Sequence, residues 1–305
     1  MEKKRKRARR PVGSIMLMVF GALLLAFPIV SDLHASWLAS QAITSYTSTI
    51  ESMSAEEKDA MMAQALSYNH RLAGIATEED IQAGQVPYEE ILNTTGTGIM
   101  GSVTIDCIGV NQPIYHGTDE STLMSGVGHM EGTSFPMASG GTHAAIAGHT
   151  GMPGQRMFDE LVDLEPGDVV KVRLLDTETW YAVSSSEVVD PTMTATFVPE
   201  AGKDELTLIT CTPYGINDHR LLVHCEAIPP QNQDQSDFGI ANEDKLSKYI
   251  NLRTIPIIVT VLLAICGILW RIAKKLRSRR KKRSLDKRPT TEANQASTSS
   301  RGTPE

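Results

Sequence analysis

Two long apolar runs of the chain also carry no charge: Val12–Val30, with 19 residues, and Thr254–Trp270, with 17. A bilayer core needs roughly 20 apolar residues, so both runs predict membrane-spanning helices. Arg253 and Arg271 flank the second and can snorkel to the headgroups. Between the two runs the pattern changes twice. Ser54-x-x-Glu57 is a capping box that opens an Ala-, Met-, Glu- and Leu-rich stretch ending at Gly74, a C′ glycine, which predicts a helix. Residues 75–98, with Gly84, Pro87, Gly96 and Gly98, read as irregular. From Met100 the period becomes two: Val103, Ile105 and Cys107 alternate with Ser102, Thr104 and Asp106, as in a half-buried strand over Ser102–Ile108. Further short strands are predicted at Ala144–Ala147, Val169–Leu175, Trp180–Val183, Leu206–Thr210 and Leu221–Cys225, punctuated by Pro166-Gly167-Asp168 and Asp190-Pro191. Many short strands with one or two short helices predict a mainly β fold, a barrel or a sandwich.

The expected organisation follows. Residues 1–11 form a basic cytoplasmic tail and 12–31 a transmembrane helix. Residues 32–87 form an extracellular helical, lid-like region, and 88–228 the β domain. Residues 229–253 form a polar linker, 254–272 a second transmembrane helix, and 273–305 a basic, disordered cytoplasmic tail. Charge supports this layout. The formal net charge of −7 conceals segregation: 19 of the 29 Lys and Arg residues lie in the two tails. The ten others face 32 acidic residues between Asp32 and Arg253, about −22 for the middle portion. A soluble nucleic-acid binder would not confine its positive charge to its ends. Basic flanks stay in the cytoplasm, so both termini are expected inside and residues 32–252 outside, a two-pass cell-membrane topology. Cleavage of the first run as a signal peptide is the alternative, but Leu33-His34-Ala35 is a poor small-x-small site.

Hydrophobic residues make up 41% of the chain, which excludes wholesale disorder. Four cysteines without a Cys-x-x-Cys pair exclude a disulfide-dense scaffold and argue against a zinc ribbon. Cys211 ends the apolar strand Leu206–Thr210 and precedes the turn Thr212-Pro213-Tyr214-Gly215; Arg220 opens the next strand nine residues later. If those strands are neighbours, Cys211 and Arg220 converge. The guanidinium would then favour thiolate and could hold a carbonyl or a developing oxyanion. A thiol nucleophile needs a proton partner. His149 is the best placed, at the end of Ala144–Ala147 on a glycine-rich loop; His116, His129, His143, His219 and His224 are less suitable, although His219 adjoins Arg220. A buried strand cysteine beside unrelated loop residues is the competing reading. No set of side chains has metal-ligand spacing, Glu78-Glu79-Asp80 reads as a solvated loop, and no phosphate-binding loop is present. No cofactor is expected.

The stretch Thr207-Leu208-Ile209-Thr210-Cys211-Thr212-Pro213-Tyr214-Gly215-Ile216-Asn217-Asp218-His219-Arg220-Leu221-Leu222-Val223 resembles the TLxTCTPYxxNxHRLLV signature of class C sortases. So do His149 in AIAGHTG and the run from Tyr115-His116-Gly117-Thr118 to Gly132-Thr133-Ser134-Phe135-Pro136. The similarity covers residues of about 88–227. The resemblance implies a sortase-like closed β-barrel with short helices, preceded by a helical region and flanked by two transmembrane helices. It implies a transpeptidase that cuts an LPxTG-type sorting signal between Thr and Gly and passes the acyl group from a cysteine thioester to a pilin lysine amine. Carried over by motif, Cys211 is the nucleophile, His149 the general acid/base and Arg220 the oxyanion or positioning group. Thr210, Thr212 and His219 are expected to line the substrate site. The expected partners are pilins or surface proteins bearing such signals and the lipid bilayer, in a Gram-positive host. The family's Asp-Pro-aromatic lid motif is missing; Val86-Pro87-Tyr88 is the nearest candidate, so Pro87 and Tyr88 stand as lid residues, with the alternative that Tyr88 belongs to the entry of the barrel in the Tyr88–Asn93 segment. His224-Cys225 replaces the Arg-Gly that relatives often show after Leu-Leu-Val.

Cys107 and Cys225 fall on apolar strand faces and read as buried thiols rather than a disulfide, since spacing gives no distance; Cys266 lies in the second uncharged run. The alternatives to pilus assembly are a sortase that anchors proteins to peptidoglycan, a cysteine protease and a non-enzymatic adhesin.

Overall fold

The computed structural model describes residues 12–82, 86–152, 156–192 and 197–230, with Gly267, Arg271 and Lys274. The chain divides into two compact units, Met1–Leu25 with Thr254–Glu305, and Ala26–Arg253.

Helix α1 (Val12–Ser52) is continuous over 41 residues and contains Pro28. Among the described residues no helix is long and apolar enough to cross a membrane. Neither of the two transmembrane helices expected to flank the barrel is therefore shown among the described residues. The first predicted run is the beginning of α1, where side chains at several positions lie outside the described residues, and the second run lies outside them except for Gly267. Residues 231–253 of the polar linker, the C-terminal basic tail apart from Lys274, and Cys266 also lie outside them.

The capping box is present: Ser54 Oγ accepts from Glu57 N at 3.2 Å and Glu57 Oε2 accepts from Ser54 N at 2.9 Å. It opens α2 (Ala55–Leu72), which ends before Gly74 at φ 70°. Both helices are bound to the barrel through polar anchors as well as apolar contact. Tyr46 of α1, 2% exposed, donates to Met100 O at 2.6 Å and accepts from Leu175 N at 3.0 Å. Burial pushes its phenol up to about 12. Asn69 of α2 pairs with the backbone of Phe135 in both directions, donating at 3.0 Å and accepting at 2.7 Å. Residues 75–98 are not wholly irregular: they contain α3 (Glu78–Gln82) and a 3-10 turn at Tyr88–Glu90.

Eight strands follow: β1 (Ile99–Ile105), β2 (Val110–His116), β3 (Val127–His129), β4 (Thr142–Ala147), β5 (Val169–Leu174), β6 (Thr177–Val189), β7 (Asp204–Thr212) and β8 (His219–Ile228). A short helix, α4 (Glu120–Leu123), links β2 to β3. The strands close into a barrel in the order β1-β2-β3-β4-β7-β8-β6-β5. The pairs β2–β3 and β4–β7 are parallel and the rest antiparallel. The closed barrel is the fold expected. The predicted strand Ser102–Ile108 stops at Ile105, because Asp106–Ile108 turn as a 3-10 segment into Gly109 at φ 68°.

Side chains alternate across the barrel wall. Ala144, Ile146, Leu206, Leu208, Val223 and Cys225 belong to the main core, together with Val103, Ile105, Val170 and Val172. Their neighbours Ala145, Ile209 and Leu222 form a second cluster with Met130, Ala147, Val189 and Phe197. The two-residue period carries that second face along β7 from Ile209 to Cys211. Cys107 and Cys225 are both buried and not joined to each other, as expected, and burial raises Cys225 well above the ordinary thiol range.

Candidate active site

Register brings Cys211 and Arg220 together. In the antiparallel β7–β8 pair Cys211 lies opposite Arg220 and Thr212 opposite His219. The connection is tight: Ile216 and Asn217 both donate from their backbone N to Pro213 O, at 3.0 and 2.9 Å, with Gly215 at φ 78°. Arg220 Nη1 donates back to His219 O at 3.1 Å, which holds the guanidinium over its own turn.

His149 arrives from the other side of β7. Strand β4 runs parallel to it, with Ala147 opposite Ile209. The contact continues past the strand end, where Gly148 N donates to Ile209 O at 3.0 Å and Thr210 Oγ1 donates to Gly148 O at 2.8 Å. His149 is therefore placed beside Cys211 by two bonds on the preceding residue. Gly148 is required there, since a Cβ would lie 2.7 Å from the Phe158 ring. Phe158 N in turn donates to His149 O at 3.1 Å. Asp159 ties down the rest of the loop by accepting from Gly151 N at 2.9 Å and Met157 N at 3.3 Å. A Cβ on Gly151 would come within 3.6 Å of Gly215 N, so the two loops abut over the site. Cys211 is half-buried, whereas Tyr214 and Ile216 on the β7–β8 loop are 70% and 68% exposed. Cys211 and Arg220 thus pair at one end of β7 and β8, the His149 loop is bonded to the residue before Cys211, and an apolar cluster lies alongside. That arrangement can attack and hold a carbonyl.

The remaining expected site residues lie elsewhere or point elsewhere. Thr210 is 4% exposed, and its hydroxyl is committed to Gly148. His219 is exposed and bonds Asp218 at 2.8 Å. Tyr88 is 7% exposed; its hydroxyl bonds His129 Nδ1 and His129 O, both at 2.9 Å, and accepts from Gly117 N. Its ring sits among Tyr68, His116, His129 and Phe135. No hydrogen bond or ring contact joins it to Cys211 or Arg220 among the described residues. Pro87 precedes it at the start of the same turn.

The other histidines have structural partners. His116 contacts Gly98 O and Ile91 O, and burial holds His129 down at about 4. His143 and His224 both contact Thr207 Oγ1, at 2.9 and 3.1 Å. Asp80 is bonded by Thr77 and His70, not simply solvated. Among the described residues no group of side chains could hold a metal ion. Sequence reasoning missed Glu120, whose Oε1 lies 3.8 Å from His149 Nε2, as well as Phe158 and Asp159. Glu120 lies 29 positions from His149, and no spacing rule connects the two.

A family model for the sortase domain matches residues 103–228. The structure of sortase C1 from Streptococcus agalactiae is 33% identical with a TM-score of 0.56; the match covers 63% of this chain and 100% of that one. A sortase C structure from Clostridium perfringens, with the C-terminal cell wall sorting motif, is 35% identical at the same TM-score and coverage. Sortase D of Bacillus subtilis (strain 168) is 31% identical over 114 residues, 37% of this chain and 54% of that protein. The chain thus spans little more than half the length of that protein and of sortase A from Bacillus anthracis. With a closed eight-stranded barrel, a cysteine opposite an arginine on its last two strands, and full-length structural counterparts among sortases C, the chain belongs to the sortase family of cysteine transpeptidases.

Proposed function

We propose that this sortase cuts an LPxTG-type sorting signal between Thr and Gly and joins the acyl group to a lysine amine of a pilin. The observation that carries this reading is the placement of Cys211 opposite Arg220, with the His149 loop bonded to the preceding residue of the same strand. Cys211 Sγ attacks the threonine carbonyl carbon as a thiolate. Arg220 compensates the oxyanion that forms. The C–N bond breaks, and His149 gives its proton to the departing glycine amine, leaving a thioester. The incoming lysine amine attacks that thioester, loses its proton to His149, and the thiolate leaves. The thioester conserves the peptide-bond energy, so both steps run without a nucleotide. The apolar cluster of Ala145, Ile209 and Leu222 with Val189 and Phe197 is suited to the apolar residues of the signal.

The same reading places the enzyme in a cell membrane, with both termini cytoplasmic and the barrel outside. Its support is the basic clusters beside the two uncharged runs, and the exposure of Met16, Leu17, Phe20, Leu23, Leu24 and Phe27 along α1, between 59% and 72% each. Soluble surfaces rarely carry so continuous an apolar patch. Peptidoglycan anchoring differs only in the second nucleophile. A product assay separates the readings: LPxTG peptide is supplied with a pilin lysine peptide, with a peptidoglycan-type amine, or with water alone. The lysine-linked product is expected. Preferential transfer to the wall-type amine would replace pilus assembly with wall anchoring, and release of free acid alone would make the enzyme a protease.

A further inference from the structure

The backbone of His149 is fixed by Phe158 and by the Gly148 bonds, but its ring is not. His149 Nε2 is buried from solvent and, among the described residues, has no hydrogen-bond partner. The acid that pairs with it is Glu120, across a 3.8 Å gap. Glu120 stands in the first turn of α4, whose N-cap is Asp119. The Asp119 carboxylate is committed to that turn, accepting from Thr122 N at 3.1 Å and Ser121 Oγ at 2.6 Å. Asp159, on the loop of His149 itself, is likewise committed to backbone N–H groups. Register brings Cys211 and Arg220 to the β7 side of the same residue, so Glu120 supplies the acidic partner from the opposite element.

We propose that Glu120 is a positioning residue for His149: its carboxylate fixes the ring and complements the imidazolium formed when Cys211 gives up its proton. The proposal rests on the roles assigned above to Cys211 and His149. A thiol–imidazole pair gains when a third group orients the base. At 3.8 Å the contact is an electrostatic one. It shortens to a hydrogen bond when the ring is charged, as active-site bonds do on passing from the free to the reacting state. Glu120 is 79% exposed at its side chain, so the effect is modest, about three-fold in rate.

The test uses the full chain in detergent micelles and iodoacetamide as the probe, reading alkylation of Cys211 by peptide mapping at low and high salt. Wild type is expected to slow as salt rises, because screening weakens the carboxylate. Glu120→Gln is expected to be about three-fold slower at low salt and to respond less to salt than wild type, with only the screening of Arg220 remaining. Glu120→Asp, which keeps the charge, is expected to recover most of the rate. Equal rates for wild type and Glu120→Gln at both salts would overturn the proposal. So would a Glu120→Asp rate as low as that of Glu120→Gln, since the loss would then reflect α4 and not the charge. Iodoacetamide requires no sorting peptide. A chain that alkylates as expected but takes no peptide would retire the transpeptidase reading and leave the Glu120–His149 pairing standing.

Discussion

Thr210 shows how one hydroxyl can tie the end of β4 to β7. It lies next to Cys211 in sequence but on the other face of β7, and it donates to Gly148 O at 2.8 Å. Thr210→Val keeps the shape and removes the donor. We expect a loss of about 1 kcal/mol in stability, read by chemical denaturation. We also expect Cys211 acylation to slow more than stability alone explains, because a strand end displaced by a fraction of an ångström moves His149. An unchanged acylation rate would show that Gly148 needs no such anchor. The sequence places Thr210 and Thr212 in the substrate site by adjacency alone. Strand parity, equally visible in the sequence, turns them away from Cys211. The thiol–guanidinium pair was legible because one hairpin carries both residues. Glu120 was not, because only the closed barrel brings the β2–β3 connection to the end of β4.

At the scale of elements, the helices ahead of the barrel are held by specific polar contacts. Asn69 completes the backbone bonding of Phe135 as a neighbouring strand would. Asn69→Ala leaves a buried N–H and C=O unpaired, so a loss of about 2–3 kcal/mol is expected in denaturant melts. Asp80 joins α3 to α2 by accepting from Thr77 N at 2.7 Å, Thr77 Oγ1 at 2.8 Å and His70 Nδ1 at 2.9 Å. Chiefly through the Thr77 backbone bond, its carboxyl is held down at about 2, against the usual 3.8. A depressed carboxylate stabilises the fold fully above the unfolded value and loses that contribution as pH falls through the folded one. Thermal melts should therefore show an acid-side decline between about 4 and about 2 that is smaller in Asp80→Asn. Parallel curves for the two chains would remove Asp80 from the account.

The capping box of α2 and the strands of strict alternation could be read directly from the chain. Strands β2 and β3 could not. Pro113 interrupts the first, and the second has only three residues. Both owe their strand state to neighbours already in the barrel wall.

For the whole molecule, barrel closure is what turns separated motifs into one site. It sets β4 and β8 on either side of β7, so that the His149 loop and Arg220 flank the strand that carries Cys211. It also separates the thiols by reactivity. Cys107 and Cys225 are enclosed, and Cys211 alone of the three described cysteines reaches the surface. Native labelling with iodoacetamide should modify Cys211 and spare the other two, which should react without reductant once the chain is denatured. A requirement for reductant would reveal a disulfide the structure does not contain. The charge layout belongs to this scale as well, because only a chain read end to end shows basic tails around an acidic middle.

The central claim is that Cys211 takes the acyl group of a sorting signal. The most direct measurement is the intact mass of the full chain after incubation with an LPxTG peptide, with the modified residue located by peptide mapping. The account predicts a mass increase equal to the acyl fragment ending at Thr, on Cys211, absent from Cys211→Ala and released by an added amine. An unmodified wild-type chain, or an adduct that persists in Cys211→Ala, would contradict it.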